Sequence, residues 1–137
     1  MKKRAFTLIE LIIVLAIISI SSLMLIFRFS VIDKIGAENE VKTFVNDYSY
    51  ARDKALSSGQ RIEIVFSLSG YSIGKTNRDL KYVKSFYVNT ITFYPNGYVN
   101  VNKTKEDHNI KFVSNKDSQK YWSFTIQAVG GYINENK

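Results

Sequence analysis

The residue of this 137-residue chain that most needs a chemical partner is Glu10, a carboxylate inside the apolar run from Phe6 to Phe27. A carboxylate in such a helix costs roughly 2.5 to 3.5 kcal/mol to insert into a bilayer, so a passive anchor would have no use for it. If the chain were cut between Ala5 and Phe6, the new α-amino group of Phe6 would be a cation one turn from Glu10. Between staggered parallel helices, Glu10 could neutralise the amine of a neighbour and thereby set the packing register.

Catalytic and metal-binding chemistry has little support in the rest of the sequence. The chain has no cysteine and one histidine, which excludes disulfides, thiolate metal sites and multi-histidine centres. His108 follows Glu106 and Asp107, but consecutive residues in a polar loop cannot all point at one ion, so we interpret the segment as a solvated hairpin tip. No catalytic motif or metal-ligand spacing occurs. The sequence therefore predicts a protein that is not an enzyme and that uses no metal or cofactor.

Four basic residues form a candidate nucleic-acid strip: Lys75, Arg78, Lys81 and Lys84. Aromatic residues are interleaved with them, so DNA phosphates could bind the cations while bases stack on the rings. Against this, aromatic residues at strand spacing are more often core. The net charge of +7 is also modest, since three of the basic residues stand at positions 2 to 4. We expect a solvated surface whose weak attraction for DNA is screened by physiological salt.

The element that carries Glu10 is a long apolar helix. The span from Phe6 to Phe27 would be roughly 33 Å long as a helix, which is enough to cross a bilayer. The basic residues at positions 2 to 4 predict a cytoplasmic N-terminus and an exported remainder. A cleaved secretory signal ending near Ser19–Ser21 is an alternative, but the apolar run continues past it, where a mature domain should begin. A plain single-span anchor is a further alternative, which leaves Glu10 unexplained.

A second helical pattern leads into the exported part of the chain. Apolar residues recur at steps of three and four from Val41 to Ala55, which indicates one buried stripe of a helix. Ser57 and Ser58 should end this helix, with Gly59 as a left-handed C-cap. Gly36 is the expected place for a bend between the membrane half and the domain half.

Alternating apolar residues then predict an antiparallel β domain. Ser69-Gly70 should turn the first hairpin, and Pro95-Asn96-Gly97 a later one. The expected strands are residues 61–68, 71–73, 82–88, 90–94, 98–101, 110–113, 121–128 and 132–133. The predicted fold class is therefore α+β, with a long N-terminal helix packed on an antiparallel β head. The predicted organisation is a leader over residues 1–5, a transmembrane or filament-core helix over 6–27, and an exported head over 28–137 whose helix continues to about residue 57.

The segment Lys3-Arg4-Ala5-Phe6-Thr7-Leu8-Ile9-Glu10-Leu11 resembles the class III signal of type IV pilins and type II secretion pseudopilins. The resemblance implies that a membrane prepilin peptidase cuts between Ala5 and Phe6 on the cytoplasmic side and methylates the new terminus, Phe6. It also implies that Glu10 is the assembly glutamate. Ala5 departs from the family, which strongly prefers glycine there, and its effect on the rate of cleavage stays open.

A looser resemblance spans most of the head. The helix end at 51–55, Gly59, the aromatic-Pro-Asn-Gly turn at 93–97 and the late Gly130-Gly131-Tyr132 are similar to minor pseudopilins of the H class and their FimT-like relatives. Gram-positive competence minor pilins share the same plan. The resemblance implies a structural minor subunit of a type IV pilus-like filament or a type II secretion pseudopilus. The alternative is a competence-pilus subunit whose head binds DNA during uptake.

These resemblances also imply a location and partners. The partners would be other pilin or pseudopilin subunits, the prepilin peptidase and the membrane. The chain would be a single-pass membrane protein whose head lies at the cell surface or in the periplasm after assembly. The machine it serves, its position at the tip or in the shaft, and the type of cell envelope stay open.

Overall fold

A computed structural model describes residues 7–67, 69–86, 88–103 and 109–136, and within these it leaves out the side chains of 23–30, 88 and 103. Helix α1 spans Leu8–Ser58. It ends as predicted, because Gly59 follows with a φ of 66° in the left-handed region. Among the described residues, no helix reaches the length and hydropathy of a membrane-crossing segment. The chain divides into two compact units, Met1–Ile35 and Gly36–Lys137.

The strands of the second unit form two antiparallel sheets. Among the described residues, a five-stranded sheet has the order β3-β2-β1-β5-β6 and a four-stranded sheet the order β4-β7-β8-β9. The predicted α+β class and antiparallel head are therefore confirmed. The strands are β1 (Ile62–Ser67), β2 (Gly70–Ile73), β3 (Thr76–Asp79), β4 (Val83–Phe86), β5 (Val88–Phe93), β6 (Val99–Lys103), β7 (Asn109–Ser114), β8 (Tyr121–Ile126) and β9 (Ile133–Asn136).

Two features of the sheets differ from the prediction. The single strand expected over 82–88 is wrong, because residues 83–86 form β4 and residue 88 begins β5, and these two strands lie in different sheets. Apolar residues occur both before and after the point where the chain changes sheet, so the sequence pattern does not predict this change. Strand β3 was not predicted, because all four of its residues are exposed and polar and pair with β2 at the sheet edge. A polar edge strand carries no alternating apolar signal.

The apolar stripe of α1 is the centre of the core, as predicted. The Phe44 side chain is fully buried. Its ring centroid lies 5.5 Å from that of Tyr71 on β2 and 4.7 Å from that of Phe112 on β7. Both sheets therefore pack against the same helical residue. The buried members of the stripe are Val41, Phe44, Tyr48, Ala51 and Ala55.

Gly36 has a packing role in the second unit. A Cβ atom added to Gly36 would lie 2.7 Å from the ring of Tyr82, so the ring packs directly on the helix backbone. Helix α1 continues through this position. The bend that the sequence predicts at Gly36 stays a prediction.

Candidate functional site

Several predicted site residues lie outside the described part of the chain. These are Ala5 and Phe6, which flank the predicted cleavage site, and His108 with its acidic neighbours. In the described residues, no group of three or more histidine, cysteine, aspartate or glutamate side chains could hold a metal ion.

Glu10 lies in the first turn of α1, where it forms a capping box with Thr7. The Thr7 backbone N–H and Oγ1 both donate to Glu10 Oε2, each at 2.9 Å. The Glu10 N–H donates in return to Thr7 Oγ1 at 3.4 Å. These bonds satisfy backbone donors that a helix start leaves without an intrahelical partner. This role was not predicted from the sequence, although the Thr-x-x-Glu spacing is the usual signature of a capping box.

The first turns of α1 present apolar side chains on every side. The large apolar residues from Leu8 to Ile20 are between 44% and 78% exposed. A continuous apolar surface of this extent marks an interaction with a membrane or with another protein. Serines in this stretch do not make it polar, because Ser19 and Ser21 donate their hydroxyls to the carbonyls of Leu15 and Ile17.

The predicted basic strip lies along the edges of two sheets. Lys75 is in the turn between β2 and β3, and Arg78 is on β3, at the edge of the five-stranded sheet. Lys81 is in the link from β3 to β4, and Lys84 is on β4, at the edge of the four-stranded sheet.

Arg78 is tied to the helix by an ion pair. Its Nε donates to Asp47 Oδ2 at 2.9 Å, and the Tyr71 hydroxyl donates to the same oxygen at 2.8 Å. The hydrogen bond to Asp47 raises the pKa of Arg78. Burial, followed by the bond to Asp47, raises the pKa of Tyr71 well above its usual range. The Tyr71 side chain is 3% exposed, so its ring cannot stack on a base.

Glu40 fixes the link between β3 and β4. Its carboxylate accepts hydrogen bonds from the backbone N–H groups of Lys81, Tyr82 and Val83 at 2.8, 2.9 and 3.1 Å. These three hydrogen bonds hold the segment that connects the two sheets, residues 81–83, against α1. The sequence gives no signal for it, because a glutamate on the helix looks like an ordinary solvated residue.

The late glycine motif is held by the C-terminal part of α1. The Tyr48 hydroxyl donates to the Gly131 carbonyl at 3.1 Å, and Arg52 Nε donates to the Gly130 carbonyl at 2.5 Å. The Arg52 guanidinium also lies 4.3 Å from the Tyr132 ring centroid. Both glycines have positive φ, 83° and 63°, which explains why glycine is needed there.

A groove of about 510 Å³ lies between α1 and strands β8 and β9. Its floor is apolar, with Val41, Val45, Trp122, Phe124 and Ile133, and charged residues line its rim. Its described lining includes no histidine or serine. The groove therefore offers an apolar packing surface with a charged rim.

Comparisons with known proteins give one match for the N-terminal segment and one for the fold. Residues 1–26 match the prokaryotic N-terminal methylation motif. No curated protein matches the chain. Among solved structures, the type IV minor pilin FimU of Pseudomonas aeruginosa superposes with a TM-score of 0.54 and 18% identity, covering 76% of this chain and 92% of that one. The chain therefore carries a prokaryotic N-terminal methylation motif over residues 1–26 and shares the fold of a type IV minor pilin.

Proposed function

We propose that the chain is a minor subunit of a type IV pilus-like filament or a type II secretion pseudopilus, and that its role is structural. It is made as a prepilin, cut between Ala5 and Phe6, and methylated at Phe6. The observation that carries the proposal is the methylation motif over residues 1–26, followed by a helix whose apolar side chains are exposed.

The exposed apolar helix suggests where the chain resides before and after assembly. Before assembly, residues 6–27 would hold the chain in the membrane with the N-terminus in the cytoplasm and the head exported. After assembly, the same helices would pack together at the centre of the filament. Both surroundings remove the apolar side chains from water, which is favourable by about 25 cal/mol per Å².

The capping box holds the Glu10 carboxylate in a defined position before assembly. An ionised carboxylate has about four acceptor positions on its two oxygens, so the bonds from Thr7 leave capacity for another donor. The methylated amine of Phe6 in a neighbouring subunit is a cation of suitable charge. Glu10 would then both begin its own helix and set the register of the neighbour.

The experiment is expression of the chain with and without a prepilin peptidase, followed by intact mass measurement. We expect the peptidase to remove five residues and leave a methylated Phe6. An Ala5→Gly variant is the matched control, since it restores the family's preferred residue and should be cut at the same bond at least as fast. Cleavage near Ser21, or no cleavage of either variant, contradicts the proposal.

The basic strip of Lys75, Arg78, Lys81 and Lys84 gives little support to the alternative function, DNA binding during uptake. Arg78 is paired with Asp47, and the adjacent Tyr71 ring is buried. Of the strip residues, Lys84 is the one that lies on the four-stranded sheet. That sheet carries a different set of basic and aromatic side chains.

A further inference from the structure

The four-stranded sheet has one face against the core and one face directed outward. Phe112 on β7 is fully buried, and it pairs with Ser85 on β4 and with Trp122 on β8. Directly paired residues share a face, and successive residues of a strand alternate between faces. Lys111 and Val113, on either side of Phe112, therefore point outward together with their own partners. We call this surface the outer face.

Two cations and two aromatic rings lie together on the outer face. Phe86 pairs with Lys111, and Lys84 pairs with Val113, which pairs in turn with Tyr121. The Lys111 Nζ lies 3.9 Å from the Tyr121 ring centroid. Tyr121 is 55% exposed and Phe86 39% exposed. From strand spacing and residue rise, the two aromatic positions are about 12 Å apart, with Lys111 between them.

Apart from Val113, the rest of the outer face is polar and uncharged. Thr125 Oγ1 donates to Asn109 Oδ1 at 2.7 Å, and Asn136 Nδ2 donates to Thr125 Oγ1 at 3.0 Å. At the outward positions of β4, β7, β8 and β9 as described, no residue is acidic. The carboxylate of β9, Glu135, pairs with Phe124 and so belongs to the opposite face. The outer face therefore combines positive charge, ring surfaces and amide and hydroxyl groups.

We propose that the outer face binds single-stranded nucleic acid, with bases stacked on Tyr121 and Phe86 and phosphates beside Lys84 and Lys111. Exposed rings next to cations are the usual platform for unpaired bases, because every base offers a π-face to a ring. A duplex hides those base faces within its stack, so the outer face would reach only the backbone of a duplex. This binding goes beyond the filament role and does not depend on processing or assembly.

The test uses the full chain in nanodiscs of uncharged lipid, with a labelled oligothymidine as the probe and fluorescence anisotropy as the readout. We expect saturable binding whose log–log salt slope is about 0.7 per phosphate contacted. Tyr121→Ala should weaken binding about five- to 100-fold, while Tyr121→Phe, which keeps the ring, should stay within about threefold. Replacing Lys84 and Lys111 together by Gln should lower the slope by about 1.4. The matched control, Lys75→Gln with Lys81→Gln, removes two cations from the predicted strip and should leave the slope unchanged.

Four results would overturn the proposal. The first is an abasic oligomer bound as tightly as oligothymidine, because stacking would then contribute nothing. The second is a duplex of the same length bound equally well. The third is equal loss in the outer-face and control lysine variants, which would indicate general charge attraction. The fourth is tighter binding of an acidic polysaccharide with the same dependence on Tyr121. Circular dichroism checks the fold of each variant, and if Tyr121→Ala fails to fold, the lysine variants and the abasic probe still decide the outcome.

Discussion

Replacing Phe44 by Ala is the most direct test of how the head is held together. The Phe44 side chain has 0% exposure. Its ring contacts four other rings, with centroids 4.7 to 6.2 Å away: Tyr48, Phe66, Tyr71 and Phe112. These rings come from α1 and from both sheets, so they are fixed by separate elements and cannot all move into the space left by the ring. Truncation of a buried phenylalanine to alanine lowers the free energy of unfolding by roughly 3 to 5 kcal/mol. We expect Phe44→Ala to fall in the upper part of that range.

The assay is urea unfolding of a chain that begins at Arg28, which we expect to be soluble and monomeric because the strands cover the apolar stripe of α1. With a slope of about 1 to 3 kcal/mol per molar urea, the midpoint should fall by at least about 1 M. Val65→Ala is the matched control: Val65 is 44% exposed, and surface changes stay within about 0.5 kcal/mol. A loss below about 1 kcal/mol for Phe44→Ala would refute the reasoning and would place the stripe on an assembly surface.

Three further changes test separate parts of the molecule. Glu10→Ala should leave membrane insertion intact and reduce incorporation into filaments. Glu10→Gln is the matched variant, since it keeps the capping geometry with Thr7 and removes the charge. Filament yields equal to wild type in both variants would show that the charge does not set the packing register. Gly131→Ala should lower thermal stability by about 1 to 3 kcal/mol, because φ is 63° and the added Cβ would lie 2.6 Å from Val99 Cγ2; an unchanged melting temperature contradicts this. Burial raises the pKa of Tyr71 above the unfolded value near 10, so its stabilisation is complete below that value and is lost as pH rises through the folded pKa. The unfolding free energy should begin to fall as pH rises above about 10, and should fall less steeply for Tyr71→Phe.

The sequence predicted the elements that rest on local patterns. The end of α1 at Gly59, the first hairpin and the turn at Pro95-Asn96-Gly97 were predicted because each depends on a few adjacent residues with defined conformations. The sheet switch between β4 and β5 was not predicted, because it depends on which strand each half pairs with. The three bonds to Glu40 were missed for the same reason, since they join residues about forty positions apart.

The aromatic residues show most clearly what a linear pattern cannot resolve. Tyr71 and Tyr121 both stand at strand positions among apolar and polar neighbours, and this sequence pattern predicts a core position for both rings. Tyr71 is buried because it lies on the face of β2 that packs against Phe44. Tyr121 is exposed because it pairs with Val113, one position beyond the buried Phe112. A shift of one residue in register exchanges the two faces of a strand, so the parity of the pairing decides whether a ring fills the core or faces solvent. That parity is a property of the paired sheet, and the linear sequence therefore does not predict that Lys111, Tyr121 and Phe86 share one exposed face.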